Sequence, residues 1–250
     1  MDRLIYTAMT GAGQALEQQS VVANNLANAS TTGFRAQLSA FRSVPMNFAD
    51  GSTSDPTRSF VLSSTPSNDY TPGPIQQTGN SLDVAVQGPG WLAVQTADGN
   101  EAYTRAGNLH VDANGQLVNS NNLPVMGSSG PLSIPPGADV TIGKDGTVTA
   151  LTPGNPPTQI VTIDQLKLVN PDQTTLVHGD DGLFRTADGQ PADADPTVTL
   201  APGAIEGSNV NPVSAMVDMI TNARQFQMQT KMLDSANQID QSANKLLDFS

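Results

Sequence analysis

The feature that most constrains this chain is a stripe of regularly spaced residues at each end. Near the N-terminus, apolar, small and amide residues recur at spacings of four and three, which is the seam pattern of a coiled coil. The pattern predicts a helix over about residues 3–28, which ends in NNLANASTTGF where Gly33 supplies a stop. The stripe consists of Ile5, Met9, Ala12, Leu16, Gln19, Ala23 and Leu26.

The C-terminal stretch carries a second stripe with the same spacings. Pro212 stands near the first turn of the predicted helix, and no Gly or Pro interrupts residues 213–250. We therefore expect two long helices that pack as an antiparallel coiled coil. The stripe consists of Met216, Met219, Ala223, Phe226, Thr230 and Leu233, and it continues after one shortened spacing through Ala236, Ile239, Ala243 and Leu246.

Neither predicted helix has enough large apolar surface to be stable alone. The first stripe contains only four large apolar residues, and small and amide residues cover much of the remaining surface. A solvated helix would normally show Lys and Glu there. We expect both ends to be largely unfolded in the free subunit and to become helical when many copies pack side by side.

The sequence between the two helices consists of short runs in which apolar and polar residues alternate, which is typical of strands. Four pairs accept positive φ in tight turns: Asp98-Gly99, Asn114-Gly115, Asp145-Gly146 and Asp188-Gly189. Residues 44–74 are rich in Ser, Thr, Pro, Asp and Gly, which predicts an extended arm with one strand at residues 59–62. The predicted strands are LDVAV, WLAVQT, AYTR, NLHVD and QLV.

These elements predict an α+β fold, with the coiled coil of the N- and C-terminal helices joined to a β-rich central domain. The predicted organisation is an N-terminal axial helix over 1–35, an extended arm or linker over 36–72, a β-rich body over 73–205 and a C-terminal axial helix over 206–250.

Charge excludes nucleic acid as a partner. The formal net charge is −12, and residues 45–212 carry five basic and seventeen acidic residues, so phosphate would be repelled. No stretch approaches the roughly 18 apolar residues that a membrane span needs. The N-terminus lacks the apolar core of a signal peptide, so we expect any export to use a route without a cleaved signal.

Candidate chemical sites are weak. The chain has no cysteine, and its only histidines, His110 and His178, lie in separate segments without metal-ligand spacing. Gly11-Ala12-Gly13 lacks the third glycine and the preceding strand of a nucleotide loop. Trp91 lies inside an alternating run, which predicts a core anchor. We therefore expect no catalytic residue, no cofactor and no metal.

Three stretches resemble the signatures of the flagellar rod and hook axial protein family. ANNLANASTTGFRAQ is similar to the N-terminal signature, and SLDVAVQGPGWLAVQTADGNEAYTRAGNLHVDANGQLV resembles the central one. AIEGSNVNPVSAMVDMITNARQFQMQTKML resembles the C-terminal one. The chain length, the opening IYTAMTGAGQAL and FRAQLSAFRSVP are most similar to the proximal rod members. Trp91 stands where relatives commonly carry Phe, and the linker after Val44 does not align.

The resemblance implies a structural, non-enzymatic subunit of the flagellar basal-body rod, exported by the flagellar type III apparatus and located in the periplasm. The implied partners are other rod proteins, copies of the chain itself and the export apparatus. The terminal helices would line the export channel and the β domain would face outwards. The two stripes, from Ile5 to Leu26 and from Met216 to Leu233, would form the assembly interface. The turn from helix to arm would be shaped by Asn24, Asn25, Asn28, Gly33 and Phe34.

Three alternatives remain at this point. A distal rod or hook-type axial protein would share all the features above. A non-flagellar secreted tube or filament component would share the β body and lack the terminal seam, so removal of residues 1–30 would leave its assembly intact. An enzyme, such as one that cuts cell wall, would need an acid or nucleophile whose replacement abolishes turnover, and the sequence nominates none.

Overall fold

The computed structural model describes residues 2–39, 41–45, 59–63, 67–151 and 160–247, and the side chains over 8–39, 67–151, 160–239 and 241–242. Two long helices lie at its ends, α1 over Asp2–Ala27 and α2 over Pro212–Leu247. Both helices were predicted, and both are confirmed. The first turn of α2 is capped by Asn211, whose Oδ1 accepts hydrogen bonds from the backbone N–H groups of Val213 and Ser214 at 3.0 and 3.2 Å.

The chain clusters into two compact units. The first, which we call the helical unit, comprises Met1–Ala29, Ala36–Asp69 and Val210–Ser250. The second, which we call the β body, comprises Ser30–Arg35 and Tyr70–Asn209. The short segment after α1 therefore belongs to the β body, although both of its neighbours in the chain belong to the helical unit. The four-segment division expected from the sequence stays a prediction.

In the helical unit, α1 packs against α2 and also contacts two strands of the arm. The arm forms two small antiparallel ladders, β1 with β4 and β2 with β3. The strand expected at residues 59–62 is confirmed as β3, and the remainder of the predicted arm, at 46–58 and 64–66, lies outside the described residues. The strands are β1 Gln37–Leu38, β2 Phe41–Pro45, β3 Ser59–Ser63 and β4 Ser67–Asn68.

The β body contains the remaining strands, and all its ladders are antiparallel. They are β5 Ile75–Gln77, β6 Val84–Gln87, β7 Trp91–Gln95, β8 Glu101–Thr104, β9 Leu109–Val111, β10 Leu117–Asn119, β11 Asp139–Ile142, β12 Thr147–Leu151, β13 Ile160–Gln165, β14 Leu168–Val169, β15 Leu176–His178, β16 Phe184–Thr186, β17 Thr199–Pro202 and β18 Ala204–Glu206. A 3-10 helix covers Gln173–Thr175. The five predicted strands correspond to β6 to β10, so the α+β class is confirmed.

The strands of the body form small sheets around a shared core. One sheet has the order β14-β7-β8-β16-β15 and another the order β11-β12-β13, while β5, β6 and β9 pair with β18, β17 and β10. The tight turns between them depend on glycine. The four predicted turn glycines, Gly99, Gly115, Gly146 and Gly189, all have positive φ, between 69° and 84°.

The core of the β body is built from aliphatic side chains, among which Leu92, Leu117 and Leu200 have no exposed surface. A second cluster surrounds Trp91, which is 4% exposed and lies 4.5 Å from Phe184 between ring centroids. Trp91 is therefore a core anchor, as the alternating strand predicted. The β body therefore buries large aliphatic and aromatic side chains, and their removal from water stabilises a domain of this size.

Candidate assembly interface

One face of α2 is buried with a seven-residue repeat. Ala215, Asn222 and Ala236 are buried, and Gln229 is half-buried at the same repeat. A second position, four residues after the first, is half-buried throughout: Met219, Phe226 and Leu233. Alternating spacings of four and three are the pattern expected of a coiled-coil seam, and we call this face the seam. Four of its seven positions hold small or amide residues, and three hold large apolar ones.

The face of α1 that is buried is smaller still. Ala8, Ala12 and Ala15 are its buried residues. A Cβ atom placed on Gly11 would lie 3.1 Å from Nε2 of Gln229 on α2, closer than nearly all real contacts. Small side chains at these positions therefore allow the backbone of α1 to approach α2 closely.

The predicted interface residues are distributed over more than one face of the helices. Ala12 is buried, while Gln19, Leu26, Met219, Ala223, Phe226, Thr230 and Leu233 are half-buried. Met9, Leu16, Ala23 and Met216 are exposed. Ile5 lies in α1, but its side chain is outside the described residues. The buried stripe of α1 is displaced by one residue from Met9 and Leu16, because close packing within the pair uses the small residues.

Large apolar side chains on both helices are left exposed to solvent in the single chain. We call this set the outer apolar surface, and Met228 at 62% and Met9 at 56% exposure are typical of it. Each of these side chains is at least 48% exposed, although all are apolar. Its members are Met9, Leu16, Val213, Met216, Val217, Ile220, Met228, Met232 and Ile239.

The predicted turn residues of the helical unit lie at the end of α1. Asn25 forms two hydrogen bonds with the backbone of Gln37, since its Nδ2 donates to the carbonyl oxygen and its Oδ1 accepts from the N–H, both at 2.8 Å. Nδ2 of Asn28 donates to the carbonyl oxygen of Asn24 at 3.0 Å. These amides satisfy backbone groups where the helix stops.

The other two predicted turn residues, Gly33 and Phe34, belong to the β body. Gly33 has a φ of +70°, and a Cβ atom there would lie 2.3 Å from the backbone of Arg105 and Ala106. Its N–H donates to the carbonyl oxygen of Glu206 at 2.8 Å. Both the backbone conformation and the close approach therefore require glycine. The role of these residues in the turn from helix to arm stays a prediction.

A buried ion triad that the sequence did not predict lies next to Gly33. The carboxylate of Glu206 accepts from Nη2 of Arg35 at 2.6 Å, from Nη1 of Arg105 at 3.0 Å and from the backbone N–H of Gly73 at 2.9 Å. The three charged side chains are at most 4% exposed. Breaking such a pair leaves an uncompensated charge in the interior, so the triad fastens the segment after α1 to the rest of the β body.

The triad carries one more positive than negative charge. Burial lowers the pKa of Arg105, the carboxylate of Glu206 opposes this effect, and the second guanidinium, that of Arg35, lowers the pKa further. The only signal in the sequence was that each of the three signatures contributes one member of the triad: Arg35 in TTGFRAQ, Arg105 in AYTRAGN and Glu206 in AIEGSN.

Two other kinds of site are absent from the described ranges. In those ranges no three His, Cys, Asp or Glu side chains are grouped so that they could hold a metal ion. No helix within them is long and apolar enough to cross a membrane.

Comparison with known protein families gives three matches in chain order. Residues 5–35 match the family described as "Flagella basal body rod protein", and residues 85–150 match "Flagellar hook protein FlgE/F/G D1 domain". Residues 201–246 match "Flagellar basal body rod FlgEFG protein C-terminal". Each match contains one member of the ion triad.

Proteins that are similar over the whole length of the chain are also flagellar basal-body rod proteins. The "Flagellar basal-body rod protein FlgF" of Escherichia coli (strain K12) is 50% identical over 256 residues, covering 100% of both chains. The protein of the same name from Salmonella typhimurium is also 50% identical over 100% of both chains. A "Flagellar basal-body rod protein FlgG" of Buchnera aphidicola is 32% identical over 97% of this chain and 98% of its own.

The higher identity to the FlgF proteins confirms the predicted resemblance to the proximal rod members. The non-flagellar tube component and the cell-wall enzyme are therefore excluded, because the relatives are structural rod proteins and not enzymes. The chain is a structural subunit and belongs to the flagellar basal-body rod protein family.

Proposed function

We propose that this subunit builds the proximal rod through two surfaces of its terminal helices. The seam joins α1 and α2 within one subunit as an antiparallel coiled coil. The outer apolar surface joins the helices of neighbouring subunits, both copies of this chain and other rod proteins. The observation that carries the proposal is that large apolar residues are exposed on the helices, whereas the buried helix positions among the described side chains hold alanine or asparagine.

The seven-residue repeat of buried positions on α2 supports the coiled coil. The close approach of Gly11 to Gln229 defines which residues of the two helices lie opposite each other. If the helices are antiparallel, Val22 then lies near Met219. In a parallel pair Val22 would lie near the end of the described part of α2, beyond Ala236. The direction can therefore be tested with engineered cysteines, since the chain has none of its own.

The double variant Val22→Cys with Met219→Cys is expected to form a disulfide on mild oxidation, because a disulfide requires Cα atoms less than about 7 Å apart. The pair Val22→Cys with Ala236→Cys is the matched control and is expected to stay reduced. Mass spectrometry of the oxidised subunit measures both. Preferential crosslinking of the control pair would overturn the antiparallel arrangement.

The outer apolar surface suits contacts with several neighbours that are not identical. Methionine is flexible and polarisable, so Met9, Met228 and Met232 can pack against differently shaped partners. Dense packing on this surface would also supply the stabilisation that the thin seam lacks. We propose that the terminal helices reach their full stability only on assembly, as the stripe composition predicted.

Family membership supports the remaining steps of the proposal. The subunit is exported by the flagellar type III apparatus without a cleaved signal peptide, and it assembles in the periplasmic part of the rod. The terminal helices surround the export channel and the β body faces outwards. Detection of the intact N-terminal residues on the subunit in purified basal bodies, by mass spectrometry, tests the absence of cleavage.

The assembly role is tested by a double variant, Ile220→Gln with Met228→Gln, in a strain that lacks the native chain. We expect loss of motility and of rod incorporation, while the purified subunit stays soluble. The matched control is Ile160→Gln with Val177→Gln, which changes two exposed apolar residues of the β body. Normal assembly of the helix variant, or equal loss in the control, would contradict the proposal.

A further inference from the structure

The β body contains a cavity of about 260 Å³ whose walls combine aromatic rings, prolines and one arginine. Tyr70, Trp91 and Arg105 line it, together with three prolines and the amide residues Asn170 and Gln173. No acidic residue is among the lining residues. This cavity lies in the β body and is independent of the helix seam and of the outer apolar surface.

The charge beside this cavity is positive. Arg105 is 4% exposed and shares the carboxylate of Glu206 with Arg35, so two guanidinium groups face one carboxylate. Nε of Arg105 is buried and has no hydrogen-bond partner among the described residues. A surplus positive charge away from water acts strongly on nearby groups. A carboxylate in the cavity would neutralise it.

The hydrogen bonds that Arg105 already makes determine which kind of anion the cavity can bind. Its Nη1 already donates to Glu206 and to the carbonyl oxygen of Val86, and its Nη2 donates to the carbonyl oxygen of Gly88 at 2.7 Å. A phosphate would need several free donors at once. A single carboxylate needs only the attraction of the surplus charge and one or two hydrogen bonds.

The aromatic residues argue against a sugar as the occupant. The ring of Trp91 lies 5.3 Å from the guanidinium carbon of Arg105, 4.5 Å from the ring of Phe184 and 6.1 Å from that of Tyr70. Because Trp91 is 4% exposed, it offers no free ring face for a sugar to stack on. A cavity lined by aromatic and amide residues instead suits an extended peptide segment, because aromatic-lined grooves are a recurring mode of binding extended peptides.

We propose that this cavity is a docking site for an acidic side chain, Asp or Glu, carried on an extended peptide segment of a neighbouring protein subunit. Charge complementarity supports this occupant, because the cavity is a positive site on a chain whose net charge is −12. A second copy of the chain therefore carries many carboxylates that could enter it.

The proposal is tested on the full-length chain with two blocked synthetic peptides, Ala-Pro-Glu-Ala-Pro and Ala-Pro-Gln-Ala-Pro. Trp91 is the only tryptophan and lines the cavity, so its fluorescence reports occupancy. We expect the Glu peptide to bind about tenfold more tightly than the Gln peptide, and added salt to weaken it. Equal binding of the two peptides, or no binding of either, would overturn the proposal. Inorganic phosphate that competes at the same concentration would show a general anion site and would also overturn it.

A variant at the edge of the cavity provides a second test that leaves the triad intact. Gln173→Glu adds a negative charge beside the cavity, and we expect it to weaken binding of the Glu peptide about fivefold or more. The matched control is Gln190→Glu, the same change at an exposed position that does not line the cavity. Equal affinity of the two variants would show that the peptide binds elsewhere.

Discussion

The two units of this protein bury opposite kinds of side chain. In the β body, large residues such as Leu92 and Leu117 have no exposed surface, whereas the buried residues among the described side chains of the helical unit are alanines and Asn222. Several large apolar residues of the helices, Ile220 and Met228 among them, are more than half exposed, and others, such as Phe226 and Leu233, are half-buried. The β body is therefore stabilised from within, while the helices leave large apolar groups exposed for the contacts between subunits that we propose.

The β body and the helix seam also bury different kinds of polar group. The β body buries charges that are joined in the triad around Glu206. The helix seam buries neutral amides, and Oε1 of Gln14 and Nδ2 of Asn222 have no partner among the described residues. Neutral amides in a thin seam are typical of a contact that fixes register and contributes little stability.

The largest expected effect is that of Glu206→Gln, which should strongly destabilise the β body. Two guanidinium groups would then be buried without a charged partner, so we expect the free energy of unfolding to fall by about 3–5 kcal/mol. Urea denaturation followed by the fluorescence of Trp91 measures it. The matched control is Glu101→Gln, which removes the carboxylate from the less buried pair with Lys167 and should cost less. An equal cost for both variants would contradict a special role of the triad.

A pair of leucine truncations sharpens the contrast between the two interiors. Leu117→Ala removes a fully buried side chain from the β body and should cost about 3 kcal/mol. Leu233→Ala removes a half-buried side chain from the seam and should cost about 1 kcal/mol. Trp91 fluorescence follows the body, and far-UV circular dichroism follows the helices. A similar loss of unfolding free energy in the two variants would mean that the seam stabilises the protein as strongly as the core of the β body does.

Acid should destabilise the β body through its turns. The pKa values of Asp112, Asp145, Asp172 and Asp195 lie below the usual 3.8, because N–H and hydroxyl groups of their own turns donate to these carboxylates. A carboxylate whose pKa is lower in the folded state stabilises the fold above its unfolded pKa, and this contribution is lost as the pH falls through the folded pKa.

We therefore expect the urea midpoint measured by Trp91 fluorescence to be steady down to about pH 4 and to fall below it. Asp195→Asn should make this decline shallower, because one of the titrating groups is removed. A midpoint that is unchanged well below pH 4 would contradict this account of the turns.

The smallest expected effect is that of Met228→Gln in the free subunit. The side chain is 62% exposed, so the free energy of unfolding of the helices should change by less than about 0.5 kcal/mol. Far-UV circular dichroism during urea titration measures it, with Gln227→Met as the reverse change at the neighbouring exposed position. A loss above about 1 kcal/mol would place Met228 inside the seam rather than on the outer apolar surface.

The sequence predicted the elements that depend on local pattern. Both helices, the strands β6 to β10 and the turn glycines follow from residue spacing and from the preference of glycine for positive φ. The face of α1 was displaced by one residue from the stripe, because the pattern emphasised Met9 and Leu16 while packing selected Ala8 and Ala15. The triad could not be predicted, since Glu206 is 171 residues from Arg35 and 101 from Arg105.

The long reach of that triad has a consequence for timing. Arg35 is made early and Glu206 late, so a chain that emerges N-terminus first, from a ribosome or from a narrow conduit, has no carboxylate for Arg35 until about four-fifths of it has appeared. Strand β5 likewise cannot pair until β18 has emerged, and β6 cannot pair until β17 has emerged. The β body can therefore close only after Glu206 has emerged, when nearly all of the body, which ends at Asn209, has been released.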